Sequence, residues 1–279
     1  MSPRPSYLRV FLTFVRNSLV RDMMFPANFI IESLSSFGWV LMNVGFYLLI
    51  FEYTDKIQGA TPGDAWNKHQ FFVFIATSMF INSIVQMFFM TNADEFSELI
   101  RTGGLDFALL KPIDTQFLIS LRRIEWASLA NFLVAAVLMA YALPRITSIE
   151  ITFWRVALYL VYVSAGVLIL YSLTIVLAAV SVWLGRNTSI YDFWFYITTF
   201  SRYPMEIYQG TLGDWLRGIF TFALPILIVV NVPARFLAKT MRTEYWYLAI
   251  FAIVATIVSL LASRWVFQRA LTSYRSASS

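Results

Sequence analysis

The chain offers few residues that could do chemistry. It has one histidine and no cysteine, which excludes disulfides, thiolate metal sites and a cysteine nucleophile. His69 stands beside Lys68 at the edge of an apolar stretch. We interpret it as a solvated residue at the membrane interface and not as a metal ligand or as the base for a catalytic serine. The HExxH, GxSxG and GxxxxGK[ST] motifs are absent from the sequence. We therefore expect no catalysis, no bound metal or cofactor and no ATP hydrolysis by this chain.

Five polar residues inside or beside long apolar stretches are candidates for a path through a membrane. They are Glu32, Asn43, Asn82, Gln86 and Asn131. An ion-coupled carrier usually keeps an ionisable group near mid-membrane, and Glu32 is the only candidate. Its position at the start of an apolar stretch also fits a residue that reaches the interface or caps a helix. The four amides can equally form hydrogen bonds between helices.

The composition indicates that lipid surrounds the chain. Of its 279 residues, 59% are hydrophobic and 13% are charged, which is about half the charged share of a soluble domain. Exposing so much apolar surface to water would cost roughly 25 cal/mol per Å². The net charge of +5 is then explained by the excess of Lys and Arg in cytoplasmic loops and does not indicate nucleic-acid binding.

The apolar pattern predicts an all-α polytopic membrane protein with six transmembrane helices, in one domain over residues 1–279. Each stretch approaches the ~20 residues that a helix needs to cross the hydrocarbon. The predicted spans are residues 27–51, 70–90, 126–143, 155–184, 215–236 and 245–266. The fifth contains Pro225 and Pro233, which should kink it. Residues 193–201 are apolar but too short to cross, and we expect a re-entrant or interfacial piece at the inner side.

A helix over residues 5–24 is expected to lie on the inner membrane surface, because its apolar residues recur at three- and four-residue steps opposite a basic face. With the N-terminus inside, fourteen of the 21 Lys and Arg residues fall in inner segments and seven in outer ones. Arg202 is among the inner fourteen. This bias predicts that both termini lie in the cytoplasm.

The inner loop between the second and third spans has the most specific pattern. Residues 96–100 extend the second span, and a glycine pair suits a left-handed helix end. Asp114 can cap a further helix that runs into the third span. Between them we predict a short apolar helix that either docks on a partner or lies on the bilayer surface. The predicted docking element comprises Gly103, Gly104, Leu105, Asp106, Phe107, Leu109, Leu110, Lys111 and Pro112.

Three segments together resemble the permease subunits of ABC-2 type transporters, in particular a compact six-span family. They are RTGGLDFALLKPID at 101–114, SRYPMEIY at 201–208 and ALPILIVVNVPARFL at 223–237. The resemblance extends over nearly the whole chain. It implies that residues 105–111 form a coupling helix that docks on a separate ATPase subunit, and that the N-terminal helix is an interfacial connecting helix.

The resemblance further implies an exporter in the bacterial cytoplasmic membrane. It would pair this chain with a second permease, identical or paralogous, and with two ATP-binding subunits that bind ATP and Mg²⁺. A gradient-driven carrier or channel is the alternative, and it would need an essential mid-membrane charge. A passive membrane scaffold is a third possible function, and a membrane enzyme is the fourth.

Overall fold

The computed structural model describes residues 6–57, 64–184, 190–240 and 243–274. These residues fold almost entirely into helices, which confirms the predicted all-α polytopic class. The α-helices are α1 Tyr7–Met24, α2 Pro26–Tyr53, α3 Lys68–Val85, α4 Thr91–Arg101, α5 Gly104–Leu109, α6 Thr115–Leu121, α7 Ser128–Ala142, α8 Phe153–Leu184, α9 Ile190–Thr199, α10 Gly210–Gly218, α11 Leu227–Ala238 and α12 Trp246–Ser273. Two short antiparallel strands, β1 Lys56–Ile57 and β2 Trp66–Asn67, lie between α2 and α3.

Shorter turns complete the helical path. Among the described residues these include the π-helical turns Gln86–Met90 and Ile219–Ala223 and the 3₁₀ turns Leu143–Arg145, Phe200–Arg202, Met205–Ile207 and Thr243–Tyr245. Among the described residues, five helical segments are long and apolar enough to cross a membrane, and a bent pair of helices gives a sixth if it counts as one span. The five are Phe29–Tyr53, Lys68–Arg101, Ser128–Arg145, Phe153–Leu184 and Trp246–Ser273.

α8 is the central helix of the bundle and packs along α11, α12 and α3, while α3 also packs against α7. We call the end of the bundle that carries residues 102–127 the loop end, and the other the far end. A second, smaller apolar cluster at the loop end joins α4, α5 and α6 to α8 and α12. Its members include Phe96, Leu105, Leu118, Ile175 and Phe267.

The close approach of α8 and α11 depends on Gly166. A Cβ atom at this position would lie 2.8 Å from the carbonyl oxygen of Val229 and 3.2 Å from the side chain of Ile81. Gly166 stands near the middle of α8. α11 therefore reaches the mid-depth of the bundle.

The connection from α6 to α7 differs from the predicted continuous helix. α6 ends at Leu121 and α7 begins only at Ser128. The intervening backbone N–H groups find partners elsewhere, because the Asn92 side chain accepts from Arg123 at 2.8 Å and the Ser18 hydroxyl accepts from Ile124 at 3.0 Å. This link is thereby fixed to both α4 and α1.

The predicted fifth span differs more strongly. Gly210–Ala223 and Leu227–Ala238 meet at 89°, so residues 215–236 form no single kinked helix. The break falls at Leu224, whose extended dihedral angles, φ −115° and ψ 92°, are those that a following proline favours. Pro233, by contrast, lies inside α11.

Both ends of this bent segment lie at the far end of the bundle. Glu206, just before α10, accepts a hydrogen bond from the indole of Trp66, which immediately precedes α3. Lys239, just after α11, donates to the Asp64 carbonyl at 2.7 Å. The bent segment thus enters and leaves at one end, as a re-entrant segment does.

Residues 190–208 connect the two ends of the bundle. They follow α8, which finishes at the loop end, and by Glu206 the chain has reached the far end. The expectation that residues 193–201 stay at the inner side is therefore corrected: they lead away from it, toward the Trp66 end of α3.

Candidate functional site: a docking loop and a membrane cavity

A left-handed glycine and a capping aspartate shape the loop. Gly103 has a φ of +72°, a conformation that suits glycine, and it turns the chain from α4 into α5. Gly104 is already the first residue of α5. The Asp114 carboxylate accepts the backbone N–H of Phe117 at 3.0 Å and caps α6. Both features are those the sequence predicts.

α5 has a buried face and an exposed face, and both are apolar. Leu105 and Ala108 are buried in the loop-end cluster. Phe107, Leu109 and Leu110 are 74%, 40% and 81% exposed. Leu105 therefore anchors α5 in the loop-end cluster, so the predicted docking element does not expose this residue to a partner. The exposed trio Phe107, Leu109 and Leu110 is held on a fixed base.

The remaining residues of the predicted docking element flank this trio. Asp106 lies beside the hydroxyl of Tyr274, just after α12. Lys111 and Pro112 are exposed after α5. The loop end therefore carries an apolar surface next to a lysine, which is a chemistry suited to binding another protein.

A polar network ties the loop to the central helices. Arg264 on α12 makes a two-pronged ion pair with Asp114, with Nη1–Oδ1 at 3.0 Å and Nη2–Oδ2 at 2.5 Å. Arg264 also donates to Gln116, which donates to the Tyr171 hydroxyl of α8 at 2.9 Å. The hydrogen bonds from Arg264 lower the pKa of Asp114, which keeps this pair charged at neutral pH.

The structure brings four of the five predicted polar residues together around one cavity of about 160 Å³ between α2, α3 and α7. Asn43, Asn82, Gln86 and Asn131 all line it. The rest of the cavity wall is formed by Trp39, Val40, Val44, Tyr47, Ile75, Ser78, Met79, Ser83 and Arg202. The side-chain oxygens of Asn82 and Asn131 are buried without a protein partner, so the cavity presents open hydrogen-bonding groups.

The cavity occupies one half of the bundle. Along α3 and the following turn, its lining runs from Ile75 to Gln86, a rise of about 16 Å at 1.5 Å per residue. Gln86 and Asn131 stand toward the loop end, whereas Ile75 stands near mid-depth. The length matches about half of the ~30 Å hydrocarbon thickness.

Aromatic rings close the cavity toward the far end. Tyr47 packs edge-on against Phe71, with ring centroids 5.0 Å apart. Phe71 in turn packs against Phe51 at 5.6 Å and Phe74 at 6.0 Å, and Phe74 against Trp66 at 5.4 Å. We call these five rings the aromatic barrier. It runs from Tyr47 in the cavity wall to Trp66 at the far end.

Glu32 does not join the cavity. It is exposed on α2 and lies close enough to Glu125 to add to the raised pKa that burial gives that carboxyl. Glu125 precedes α7 at the loop end, so Glu32 belongs to this end and not to mid-depth. The charged residue that lines the cavity is Arg202, which the Lys and Arg count assigns to an inner segment.

A buried charge cluster lies at the far end, and sequence reasoning misses it. Arg235 forms ion pairs with Glu206 and, at 3.9 Å, with Asp64. Lys239 sits 4.0 Å above the Trp66 ring, and its pKa is lowered to about 7 by burial and by Arg235. All four charged side chains are buried, and they come from three separate parts of the chain. The cluster fastens the re-entrant segment to the β1–β2 connection.

Comparison with known families gives one match. A family model described as "ABC-2 family transporter protein" matches residues 37–278. The matched range takes in the loop, the cavity, the aromatic barrier and the charge cluster, and begins after α1 and Glu32. No curated protein and no solved structure matches the chain.

The charge cluster predicts a large stability effect. Glu206→Gln leaves Arg235 with a buried charge that only Asp64, 3.9 Å away, partly balances, and removing one partner of a buried pair costs about 3–5 kcal/mol. Thermal unfolding in lipid nanodiscs should show a clear fall in Tm. Glu98→Gln breaks an exposed pair with Arg101 and should change Tm little. Equal effects of the two substitutions would contradict this role.

The loop network predicts a local effect. Arg264→Gln removes both prongs of the pair with Asp114, so hydrogen exchange across α5 and α6 should speed up while exchange in α11 stays as it is. Arg264→Lys keeps a charge but loses the fork and should give an intermediate result. Unchanged exchange in the glutamine variant would show that the network does not hold the loop.

Proposed function

Because the chain belongs to the ABC-2 transporter family, we propose that it is the permease of an ATP-driven exporter powered by separate ATP-binding subunits. These partners bind ATP and Mg²⁺ and dock on the loop end, which is the cytoplasmic end. The single observation that carries this proposal is the exposed trio Phe107, Leu109 and Leu110, at the end of a helix that Leu105 and Ala108 anchor in the bundle. Exposed apolar side chains on a fixed base are the usual form of a protein-binding anchor.

The loop network supports a route for coupling. ATP binding by the docked subunits pushes on α5, and the Asp114–Arg264 pair passes this movement to α12. Gln116 and Tyr171 pass it to α8. Small displacements at a docking site become large changes when they shift a packed bundle between two arrangements.

The cavity is one half of the translocation path. It reaches from the loop end to mid-depth, and the aromatic barrier closes it beyond Tyr47. α2 forms one wall, and most of its other surface is exposed. A second permease, identical or paralogous, covers part of that surface and completes the path, while lipid covers the rest. In this state the cavity faces the cytoplasm, as an exporter needs for loading.

A gradient-driven carrier is the second candidate, and Arg202 is the observation that favours it. This residue is charged and half-buried, and it lines the cavity inside the bundle, which is the placement expected of a coupling group. The buried acids Glu206 and Asp64 are a poorer case, because they are paired with cations at the far end. The two candidates differ in whether transport needs a docked ATPase.

Replacing Phe107 and Leu110 together by Asp tests the proposal. Unpaired charges in a desolvated contact cost several kcal/mol, so an ATP-binding subunit should no longer copurify from native membranes. Insertion should survive, since both side chains are exposed on the loop. The matched control, Phe107→Leu with Leu110→Met, keeps the surface apolar and should keep the partner. Active transport by the aspartate variant without any ATPase would replace the proposal by the gradient-driven carrier.

A further inference from the structure

Arg202 lies in the interior of the bundle, between its two ends. It lines the cavity together with Ile75 and Ser78, which stand in the central turns of α3, and with Tyr47, which lies in the last third of α2. Its guanidinium stacks over the ring of Phe195 with 4.8 Å between the Cζ atom and the ring centroid. An ionisable side chain at such depth is expensive, and its presence in a cavity wall marks a functional site.

The surroundings of Arg202 define what the cavity accepts. Arg202 is the one charged residue among those that line the cavity in the described part of the chain. A guanidinium offers five N–H donors in a fork that matches the oxygens of phosphate and carboxylate groups. Asn43, Asn82 and Asn131 offer amides nearby. Trp39, Val44 and Met79 supply apolar wall.

From this arrangement, and resting on the proposed export function, we infer that the cargo is an anionic amphiphile. Its phosphate- or carboxylate-type group binds Arg202, its hydroxyl or amide groups meet the asparagines, and its apolar body lies along α2. Arg202 is then the residue that selects the charge of the cargo. The aromatic barrier lies directly beyond it, so the charged group is held at the point where the path closes.

Binding of two matched probes tests the inference. The protein, with the subunits it retains, is purified into nanodiscs of phosphatidylcholine, and the Kd values of dodecyl phosphate and dodecyl maltoside are measured. Arg202→Gln should raise the Kd of dodecyl phosphate about tenfold or more, because a charge-assisted contact is lost. The Kd of dodecyl maltoside should stay within about twofold of the wild-type value. Arg202→Lys should fall between, since it keeps the charge and loses the fork.

Arg145→Gln is the matched control. Arg145 also stacks on an aromatic ring, with its Cζ atom 4.0 Å from the centroid of Tyr141, but it is exposed and lies outside the cavity. This variant should bind both probes as the wild type does. If Arg202→Gln weakens both probes equally, or weakens neither, Arg202 does not recognise an anion and the inference fails.

A resident lipid headgroup is the other source of the same anionic chemistry. Adding phosphatidylglycerol to the nanodiscs distinguishes the two. Dodecyl phosphate binding that persists assigns the site to cargo. Competition by phosphatidylglycerol in the wild type, absent in Arg202→Gln, assigns the site to lipid and overturns the inference. These measurements do not depend on ATPase copurification, so they can fail or succeed separately from the proposed function.

Discussion

Lipid cannot hydrogen-bond to a peptide group, so a helix that breaks inside a membrane must pair the freed backbone groups within the protein, even where side chains at the break, here Phe222 and Leu224, are exposed. This constraint governs the re-entrant segment. At its corner, the N–H of Leu224 bonds to the Ile219 carbonyl at 2.9 Å and that of Ile226 to the Phe220 carbonyl at 3.0 Å. Every residue of α11 is buried. The charge cluster clamps both ends of the segment, and the position of Gly166 lets it reach mid-depth.

Close packing along α8 links the loop end to the membrane interior. α8 carries Tyr171, which belongs to the loop network, and Gly166, which contacts α11 five residues earlier. In the proposed mechanism, a partner that shifts α8 also moves α11, since no space separates the two helices at Gly166. We propose that the cavity, the aromatic barrier and the re-entrant segment change together, because α8 packs against both α3 and α11.

Sequence patterns predict the long helices well, because an uncharged stretch of about 20 residues has few alternatives to crossing a bilayer. They also predict the cap geometry at Gly103 and Asp114, which depends on local backbone chemistry. They fail where the signal is not local. Glu206 and Trp66 are 140 positions apart, and the sequence around either residue does not predict their contact.

Arg202 shows a second kind of failure. Counting Lys and Arg assigns each residue to the nearest predicted loop, and this rule cannot recognise a cation that stands in a cavity wall. The break at Leu224 has a similar origin, since a proline predicts a kink but not whether the chain turns back. The split of α5 into a buried Leu105 and an exposed Phe107 depends on which elements lie beneath it.

Photo-crosslinking from position 110 in native membranes tests the central claim most directly. A photoreactive phenylalanine analogue replaces Leu110, the most exposed side chain of the trio, and the adducts are identified by mass spectrometry after irradiation. Docking of an ATPase on this loop predicts a covalent adduct with an ATP-binding subunit. Adducts with lipid alone would contradict it, because they would mean that α5 lies on the bilayer surface.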